Sequence, residues 1–281
     1  MLEIKNVSKK FEKFKLNDIS FNLESGYIMG FIGPNGAGKS TTIKLIMNLL
    51  KKDSGEIKIF GKDHIDFERE VKNRIGFVYD ESYFYEDLTI KQMKNIIAPF
   101  YKEWDEKLFN KYIKDFNLDY TQKIKKLSKG MKMKFSLATA LSHNADLIIM
   151  DEPTSGLDPI FRREILDILY SVIQDENKSI FFSTHITTDL EKVADYITFI
   201  NNGEIVFSKS KDEVLESYGV VKGGKDLLDG DTRKEFIGIR ETNVGFEGLA
   251  ENPQRLKKIF GSEILIERPT LEDIMIYSVR R

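Results

Sequence analysis

The sequence predicts an α/β fold built on a mixed, mainly parallel sheet. Two short apolar runs, residues 27–32 and 147–150, have the length and composition of strands that are buried on both faces. Helical spacing of apolar residues follows each run, and alternation of strand and helix is typical of parallel sheets covered by helices. The chain has 281 residues, which is enough for one large domain with an appended region.

The first half of the chain contains two departures from this alternation. Residues 2–24 alternate apolar and polar side chains, which predicts an N-terminal antiparallel β subdomain with one buried face. Short strands are expected at 57–61 and 75–79. From about residue 84 to 145 the pattern is mainly helical, with a capping box at 89–92. We therefore predict a helical subdomain inserted into the core, with helices over about 90–101, 105–116 and 130–141.

Strands and helices alternate again in the second half. Asp158 and Pro159 have the residue types of an N-cap and first helical position, which predicts a helix to about residue 175. A strand is expected at 179–182, a helix at 188–194, and a hairpin over 196–207 around Asn202 and Gly203. Residues 219–230 are rich in glycine and charge and are expected to be a linker. We predict a main domain over 1–210 and a small C-terminal α+β extension over 211–281.

The overall composition argues against several classes of function. The formal net charge is -2, which gives no electrostatic reason to expect nucleic-acid binding. Cysteine is absent, which excludes disulfides and thiolate metal sites and fits a reducing compartment. No run approaches the ~18–20 apolar residues of a membrane span, and residues 1–5 lack the apolar core of a signal peptide. Work at a membrane is therefore expected to need another chain.

The strongest motif is the segment 33–41, GPNGAGKST, which lies between a predicted buried strand and a predicted helix. This context makes the pattern a phosphate-binding loop rather than an ordinary glycine-rich turn. The loop and the helix N-terminus direct N–H groups and positive dipole toward an anion. Lys39 is expected to reach the β and γ phosphates, and the Ser40 hydroxyl to ligate Mg²⁺. The predicted nucleotide contacts are Gly33, Asn35, Gly36, Gly38, Lys39, Ser40 and Thr41.

Two carboxylates follow the apolar strand at 147–150. Asp151, at the carboxyl end of a strand beside the phosphate loop, is placed to hold Mg²⁺ directly or through water. Glu152 is placed to polarise a water that attacks the γ-phosphate, which predicts a hydrolase. The alternative interpretation is a solvated acidic turn.

A third motif, LSKGM at 127–131, precedes a predicted helix. Ser128 is suited to cap that helix, and its hydroxyl and the free N–H groups would also form an anion site. The residues alone favour neither a plain cap nor a second anion site.

The span from about residue 2 to 207 resembles the ATP-binding subunit of ABC transporters. The motifs stand in that family's order: GPNGAGKST, LSKGM at the signature position, LIIMDEP as Walker B, SGLD as the D-loop and STH with the switch histidine. The resemblance implies a P-loop NTPase core that binds ATP and Mg²⁺ and hydrolyses ATP. It also implies a head-to-tail dimer with a second nucleotide-binding subunit. Each ATP would be held by the phosphate loop of one chain and by Ser128 and Gly130 of the other.

The resemblance assigns roles to three further residues. His185 would touch the γ-phosphate, Asp158 would link the two protomers, and Phe11 would stack on adenine. The alternatives are a satisfied strand-end histidine, a plain helix cap and a core aromatic residue.

Three positions depart from the family's usual pattern. Asp80 stands where glutamine is usual, Lys129 where glycine is common, and Met131 where glutamine is common. Asp80 would still be able to ligate Mg²⁺, although it adds negative charge near phosphate. Lys129 would either pair with phosphate or face solvent.

The C-terminal region narrows the resemblance. Segments 218–224 and 237–240 resemble subunits from low-GC Gram-positive bacteria that export antimicrobial or other amphipathic peptides. This resemblance favours an exporter ATPase that is held at the cytoplasmic face of the membrane by a separate permease subunit, with no nucleic-acid partner. The alternatives are an importer ATPase and a soluble ABC protein that acts on ribosomes or DNA. The appended region is interpreted as a packing or dimer-stabilising extension, with a ligand-sensing role as the alternative.

Overall fold

The computed structural model describes residues 1–80 and 83–279. Within these residues the strands form three sheets. The strands are β1 (Leu2–Lys10), β2 (Lys15–Leu23), β3 (Ile28–Ile32), β4 (Ser54–Ile59), β5 (Lys62–Asp63), β6 (Ile75–Val78), β7 (Leu147–Asp151), β8 (Ser179–Thr184), β9 (Tyr196–Asn201), β10 (Glu204–Ser210), β11 (Tyr218–Gly223), β12 (Phe236–Glu241), β13 (Phe246–Glu251) and β14 (Ile264–Glu267). The α-helices are α1 (Lys39–Ile46), α2 (Glu68–Asn73), α3 (Ile90–Ile97), α4 (Glu106–Asp115), α5 (Lys129–Leu141), α6 (Pro159–Val172), α7 (Thr187–Val193), α8 (Lys211–Ser217), α9 (Pro253–Phe260) and α10 (Leu271–Val279).

The central sheet has the strand order β10-β9-β3-β8-β7-β6. Its strands run parallel from β9 to β6, and β10 is antiparallel to β9. The five residues of β3 and the five of β7 are all buried, as expected for strands that are covered on both faces. The predicted mixed, mainly parallel sheet is therefore confirmed.

A second sheet, of order β2-β1-β4-β5, covers one face of the central sheet. All its pairings are antiparallel, in agreement with the alternating pattern of residues 2–24. An aromatic cluster joins the two sheets: the ring of Phe31 lies 5.5 Å from that of Phe21 and 5.2 Å from that of Phe181. Burial of each ring contributes about 2–3 kcal/mol. This packing fixes the end of β3, from which the phosphate loop starts.

The helical insertion consists of α3, α4 and α5. The predicted capping box forms at its start, where the Gln92 N–H donates to Thr89 Oγ1 at 3.2 Å and the Thr89 N–H donates to Gln92 Oε1 at 2.9 Å. Phe109 of α4 and Phe135 of α5 are fully buried, with ring centroids 6.4 Å apart. Both rings belong to the same buried cluster as the central sheet, so the insertion packs onto the core, and the LSKGM motif lies at the start of α5.

The C-terminal region forms a third, antiparallel sheet of order β12-β13-β11-β14. The predicted linker over 219–230 is wrong in its first part, because β11 is an inner strand of this sheet. Its glycines permit close packing: a β-carbon on Gly219 would lie 2.6 Å from Pro253 Cγ. Tyr218 and Ile274 belong to the same buried cluster as the central sheet. The extension therefore packs directly onto the core.

Candidate active site

The phosphate loop connects β3 to α1 and is held by contacts that exclude larger side chains. Gly38 stands at the N-cap of α1 with φ of 115°, and a β-carbon there would lie 2.6 Å from Leu16 Cδ2. A β-carbon on Gly33 would lie 2.3 Å from the carbonyl oxygen of Ile200. Gly36 has open space at the corresponding position. The loop is thus closely packed at Gly33 and Gly38 and open at Gly36.

Lys39 is the first residue of α1 and is only 6% exposed. Its ammonium donates to the carbonyl oxygens of Gly33 at 2.8 Å and Pro34 at 3.3 Å. It also lies 3.4 Å from Glu152 Oε1. The structure thus places a cation inside the phosphate loop, with its charge partly balanced by a carboxylate that is itself a predicted catalytic group.

Asp151 ends β7 and is 2% exposed. It accepts a hydrogen bond from Ser183 Oγ at 2.5 Å and another from the hydroxyl of Ser40. Burial raises the pKa of Asp151, the negative charges of Asp80 and Glu152 raise it further, and the two serine bonds oppose this rise. A buried carboxylate beside a hydroxyl and further carboxylates fits a divalent cation, which would neutralise the surplus negative charge.

Glu152 and His185 meet because their strands are neighbours. In the parallel pair β7–β8, Asp151 is in register with Ser183, so the residues that follow emerge at the same sheet edge. His185 Nδ1 lies 2.8 Å from Glu152 Oε2, and the His185 N–H donates to the same oxygen at 3.3 Å. Glu152 has a positive φ of 48°. Its carboxylate is therefore held between Lys39 and His185.

Lys39, Glu152 and His185 line a cavity of about 770 Å³, within the range of small-molecule sites. Phe14 lies in the wall, whereas Phe11 does not occur among the lining residues of the described chain. Phe11 is 39% exposed, and its ring lies 6.2 Å from that of Phe14. Phe14 is thus the aromatic residue in the wall of this cavity, and the stacking of Phe11 on adenine stays a prediction. The cavity is lined by Lys13, Phe14, Asn35, Gly36, Gly38, Lys39, Ser40, Thr41, Asp80, Lys129, Glu152, Ser155 and His185.

Besides Phe11, Gly33 and Asp151, three predicted site residues of the described chain do not line the cavity. Ser128 is exposed and caps α5, accepting from the Met131 N–H at 3.2 Å. Asp158 caps α6 through two backbone N–H groups, at 3.0 and 3.1 Å. Gly130 lies beside α6, where a β-carbon would be 3.3 Å from Phe161. Within the described residues, none of the three lines the cavity of its own chain.

Several functional neighbours were not predicted from the sequence. Lys13 and Ser155 line the cavity, and Ser183 anchors Asp151. The position of Ser183 in STH, directly before the end of a strand that neighbours β7, was the available signal. Lys13 lies in an irregular connection between two antiparallel strands, where periodicity carries no positional information.

Several known proteins are similar in sequence to this chain. The sequence model of the ABC transporter family matches residues 16–155. The lantibiotic transport ATP-binding protein SrtF of Streptococcus pyogenes is 34% identical over 216 residues, covering 75% of this chain and 92% of that protein. The chain belongs to the ABC transporter ATP-binding family. As a member of that family it is an ATPase, and the predicted family and enzyme class are confirmed.

Two further similarities extend this result. The bacitracin transport ATP-binding protein BcrA of Bacillus licheniformis is 34% identical over 193 residues, covering 68% of this ABC ATPase and 63% of that protein. A solved ATP-binding subunit of an ABC transporter has a TM-score of 0.71 at 28% identity, covering 77% of this chain and 92% of its own. The predicted fold is therefore confirmed by a known structure.

Proposed function

We propose that this ABC ATPase powers export of an amphipathic or antimicrobial peptide through a separate permease at the cytoplasmic face of the membrane. The observation that carries the proposal is the similarity to two relatives named for bacitracin and lantibiotic transport. The importer alternative is not favoured by these names. The helices in residues 1–80 and 83–279 are too short or too polar to span a bilayer.

The residues at the sheet edge support a mechanism for ATP hydrolysis. Lys39 and the loop N–H groups bind the β and γ phosphates. As the Lys39 ammonium turns toward phosphate, its contact with Glu152 loosens and the carboxylate becomes available. Glu152 then accepts a proton from a water whose oxygen attacks the γ-phosphorus, while the bond to the β–γ bridging oxygen breaks. His185 keeps the Glu152 carboxylate in position through its 2.8 Å contact.

Mg²⁺ would be held by Ser40 and Asp151, with Asp80 as a third candidate. When bound, it would offset negative charge on the β and γ phosphates. In the described part of the chain, no group of three His, Asp or Glu side chains is arranged to hold a metal ion by itself. We therefore infer that Mg²⁺ binding depends on oxygens of the nucleotide.

The second half of the ATP site would come from another protomer. Ser128 is exposed at the N-terminus of a 13-residue helix, outside its own chain's cavity. A hydroxyl and a positive helix end at the surface suit a phosphate presented by a partner. Gly130 and Asp158 would lie at the same head-to-tail interface, with Phe14, or Phe11 beside it, available to adenine.

Mixing two inactive variants tests the composite site. Lys39→Ala removes the phosphate-loop cation, and Ser128→Arg blocks the signature serine. Heterodimers of the two contain one intact site, so an equal mixture should recover about a quarter of the wild-type sites under random pairing. Mixing Lys39→Ala with the double variant Lys39→Ala/Ser128→Arg is the matched control and should stay inactive. Absence of recovery in the first mixture would exclude a site shared between protomers.

Export is tested with the membrane subunit that co-purifies with the chain. Both would be placed in proteoliposomes with ATP outside, and bacitracin would serve as the probe. The proposal expects ATP-dependent accumulation of bacitracin inside the vesicles, and none with Glu152→Gln. ATP-dependent release of preloaded bacitracin would indicate the importer direction instead. Co-purification with ribosomes and without a membrane protein would favour the soluble alternative.

A further inference from the structure

A second cavity, of about 440 Å³, adjoins the nucleotide cavity. The two cavities share two lining residues, Asp80 and Lys129. These side chains have opposite charges and come from different parts of the fold. Asp80 follows β6 of the central sheet, whereas Lys129 is the first residue of α5 in the helical insertion. A carboxylate of the core and an ammonium of the insertion thus stand at the same boundary.

Lys129 turns toward the site of its own chain. Its Nζ atom lies 3.0 Å from the position that a β-carbon would occupy on Gly156, in the loop before α6. It also lines the nucleotide cavity together with Glu152, whereas the neighbouring Ser128 does not. Successive residues at a helix start point about 100° apart, so one motif presents Ser128 outward and Lys129 inward.

The charges around this boundary favour a role for the Lys129 cation. Asp80, Asp151 and Glu152 bring three carboxylates to the sheet edge, and Lys39 is already engaged by Glu152 and by loop carbonyls. In the described part of the chain, Lys129 forms no ion pair within 4.0 Å. Its charge is therefore available to a carboxylate at this boundary.

We propose that Lys129 is a positioning residue that acts within its own protomer, where its ammonium attracts the Asp80 carboxylate. This attraction ties the start of α5 to the segment after β6, and so couples the orientation of the helical insertion to the nucleotide site. The inference goes beyond the proposed function and depends neither on the transported peptide nor on the head-to-tail dimer.

Cross-linking tests the proximity directly, because the natural chain contains no cysteine. The double variant Asp80→Cys/Lys129→Cys would be treated with a bismaleimide that has a short spacer. We expect one linker per chain, both thiols consumed, and the mass of a single chain. The matched control is Asp80→Cys/Lys126→Cys, since Lys126 is exposed and lines neither cavity. A product of two linked chains, or equal cross-linking in the control, would overturn the assignment.

A double-mutant cycle tests the interaction itself. Lys129→Met would be measured alone and in the Asp80→Asn background, by ATP turnover and by hydrogen exchange of the first α5 amides without nucleotide. We expect Lys129→Met to reduce turnover and to accelerate exchange. In the chain that retains Asp80, the fold-change of each measurement should be at least about three times that in the Asp80→Asn background. Equal effects in both backgrounds would refute the pair, because a lysine that touches only a partner's phosphate does not depend on residue 80. Lys126→Met should change neither measurement.

Discussion

Replacement of Glu152 by Gln separates the two roles that the structure gives this side chain. The change keeps the shape and a hydrogen-bond acceptor for His185 but removes the base and the negative charge beside Lys39. Loss of a general base lowers turnover by about 10²–10⁴-fold. The same change should strengthen ATP binding, because the Lys39 ammonium no longer has to leave a carboxylate.

The gain in affinity follows from the 3.4 Å contact between Lys39 Nζ and Glu152 Oε1. The gross Coulomb attraction at that distance is about 5 kcal/mol at an effective dielectric constant of about 20. Desolvation of the two groups, which are 6% and 13% exposed, offsets most of it. A residual of about 1–2 kcal/mol corresponds to roughly a tenfold gain in ATP affinity.

Phosphate release measures the turnover, and equilibrium dialysis with labelled ATP measures the affinity. Glu176→Gln is the matched control, because Glu176 is exposed and lies outside the cavity. It should change neither quantity. Retained turnover in Glu152→Gln would refute the assignment of Glu152 as the base. Unchanged or weaker ATP binding would refute the inhibitory ion pair with Lys39, even if turnover is lost.

Three further changes test the framework around the site. Asp158→Ala should lower the free energy of unfolding by about 1 kcal/mol in urea titrations, because two N–H groups of α6 lose their acceptor, and Asp158→Asn should restore most of it. Gly38→Ala should destabilise the protein by about 1–3 kcal/mol and abolish ATP binding by dialysis, because of its positive φ and the contact with Leu16. Burial lowers the pKa of His64 and His143 in the folded state. Below the ordinary histidine pKa of about 6.5, the unfolded chain therefore binds more protons than the folded chain does. Stability should therefore fall on acidification below about pH 6.5, by at most about 1.4 kcal/mol per pH unit for each histidine, and His143→Gln should flatten the profile.

The parts of the site that the sequence predicts are those set by local rules. The phosphate loop needs glycines at fixed spacing, a lysine at the helix start and an apolar strand before it, and all of these lie within fifteen residues. Asp151 and Glu152 are recognisable because they end an apolar strand. The hydrogen bond between Glu152 and His185 requires one more fact, that β7 and β8 are neighbours, which no local pattern of residues 147–185 contains.

The glycine-rich composition of residues 219–230 led to the wrong prediction for their first part, because glycine occurs both in flexible linkers and in closely packed strands. Gly219 and Gly223 suggested a flexible linker, but in β11 they make room for Pro253 and Phe246. Flexibility and close packing both require the absence of a β-carbon, so composition does not distinguish them. Residue type likewise does not distinguish Phe11 from Phe14. Both lie in the short connection between β1 and β2, and no local pattern of the sequence distinguishes the ring that lines the cavity from the one that does not.

The edge that carries the catalytic groups is also where local rules are broken. Glu152 has a left-handed backbone conformation, which is costly for a residue with a side chain. In residues 1–80 and 83–279, the buried side-chain polar atoms without a hydrogen-bond partner are Thr154 Oγ1 and Asp189 Oδ2. Thr154 lies two residues after Glu152, and Asp189 lies four residues after His185. A buried polar atom without a hydrogen-bond partner raises the free energy of the folded state.

The other oxygen of Asp189 shows what offsets that cost. Arg162, one turn into α6, donates to Asp189 Oδ1 at 2.8 Å and so joins α6 to the first turn of α7. These helices begin directly after the loops that carry Ser155 and His185 into the cavity. Separating Arg162 from Asp189 would leave a buried charge without its partner, which is destabilising. The pair therefore holds the two loops in a common position despite their unsatisfied groups. The strain at this edge is thus offset by an ion pair that joins the two helices.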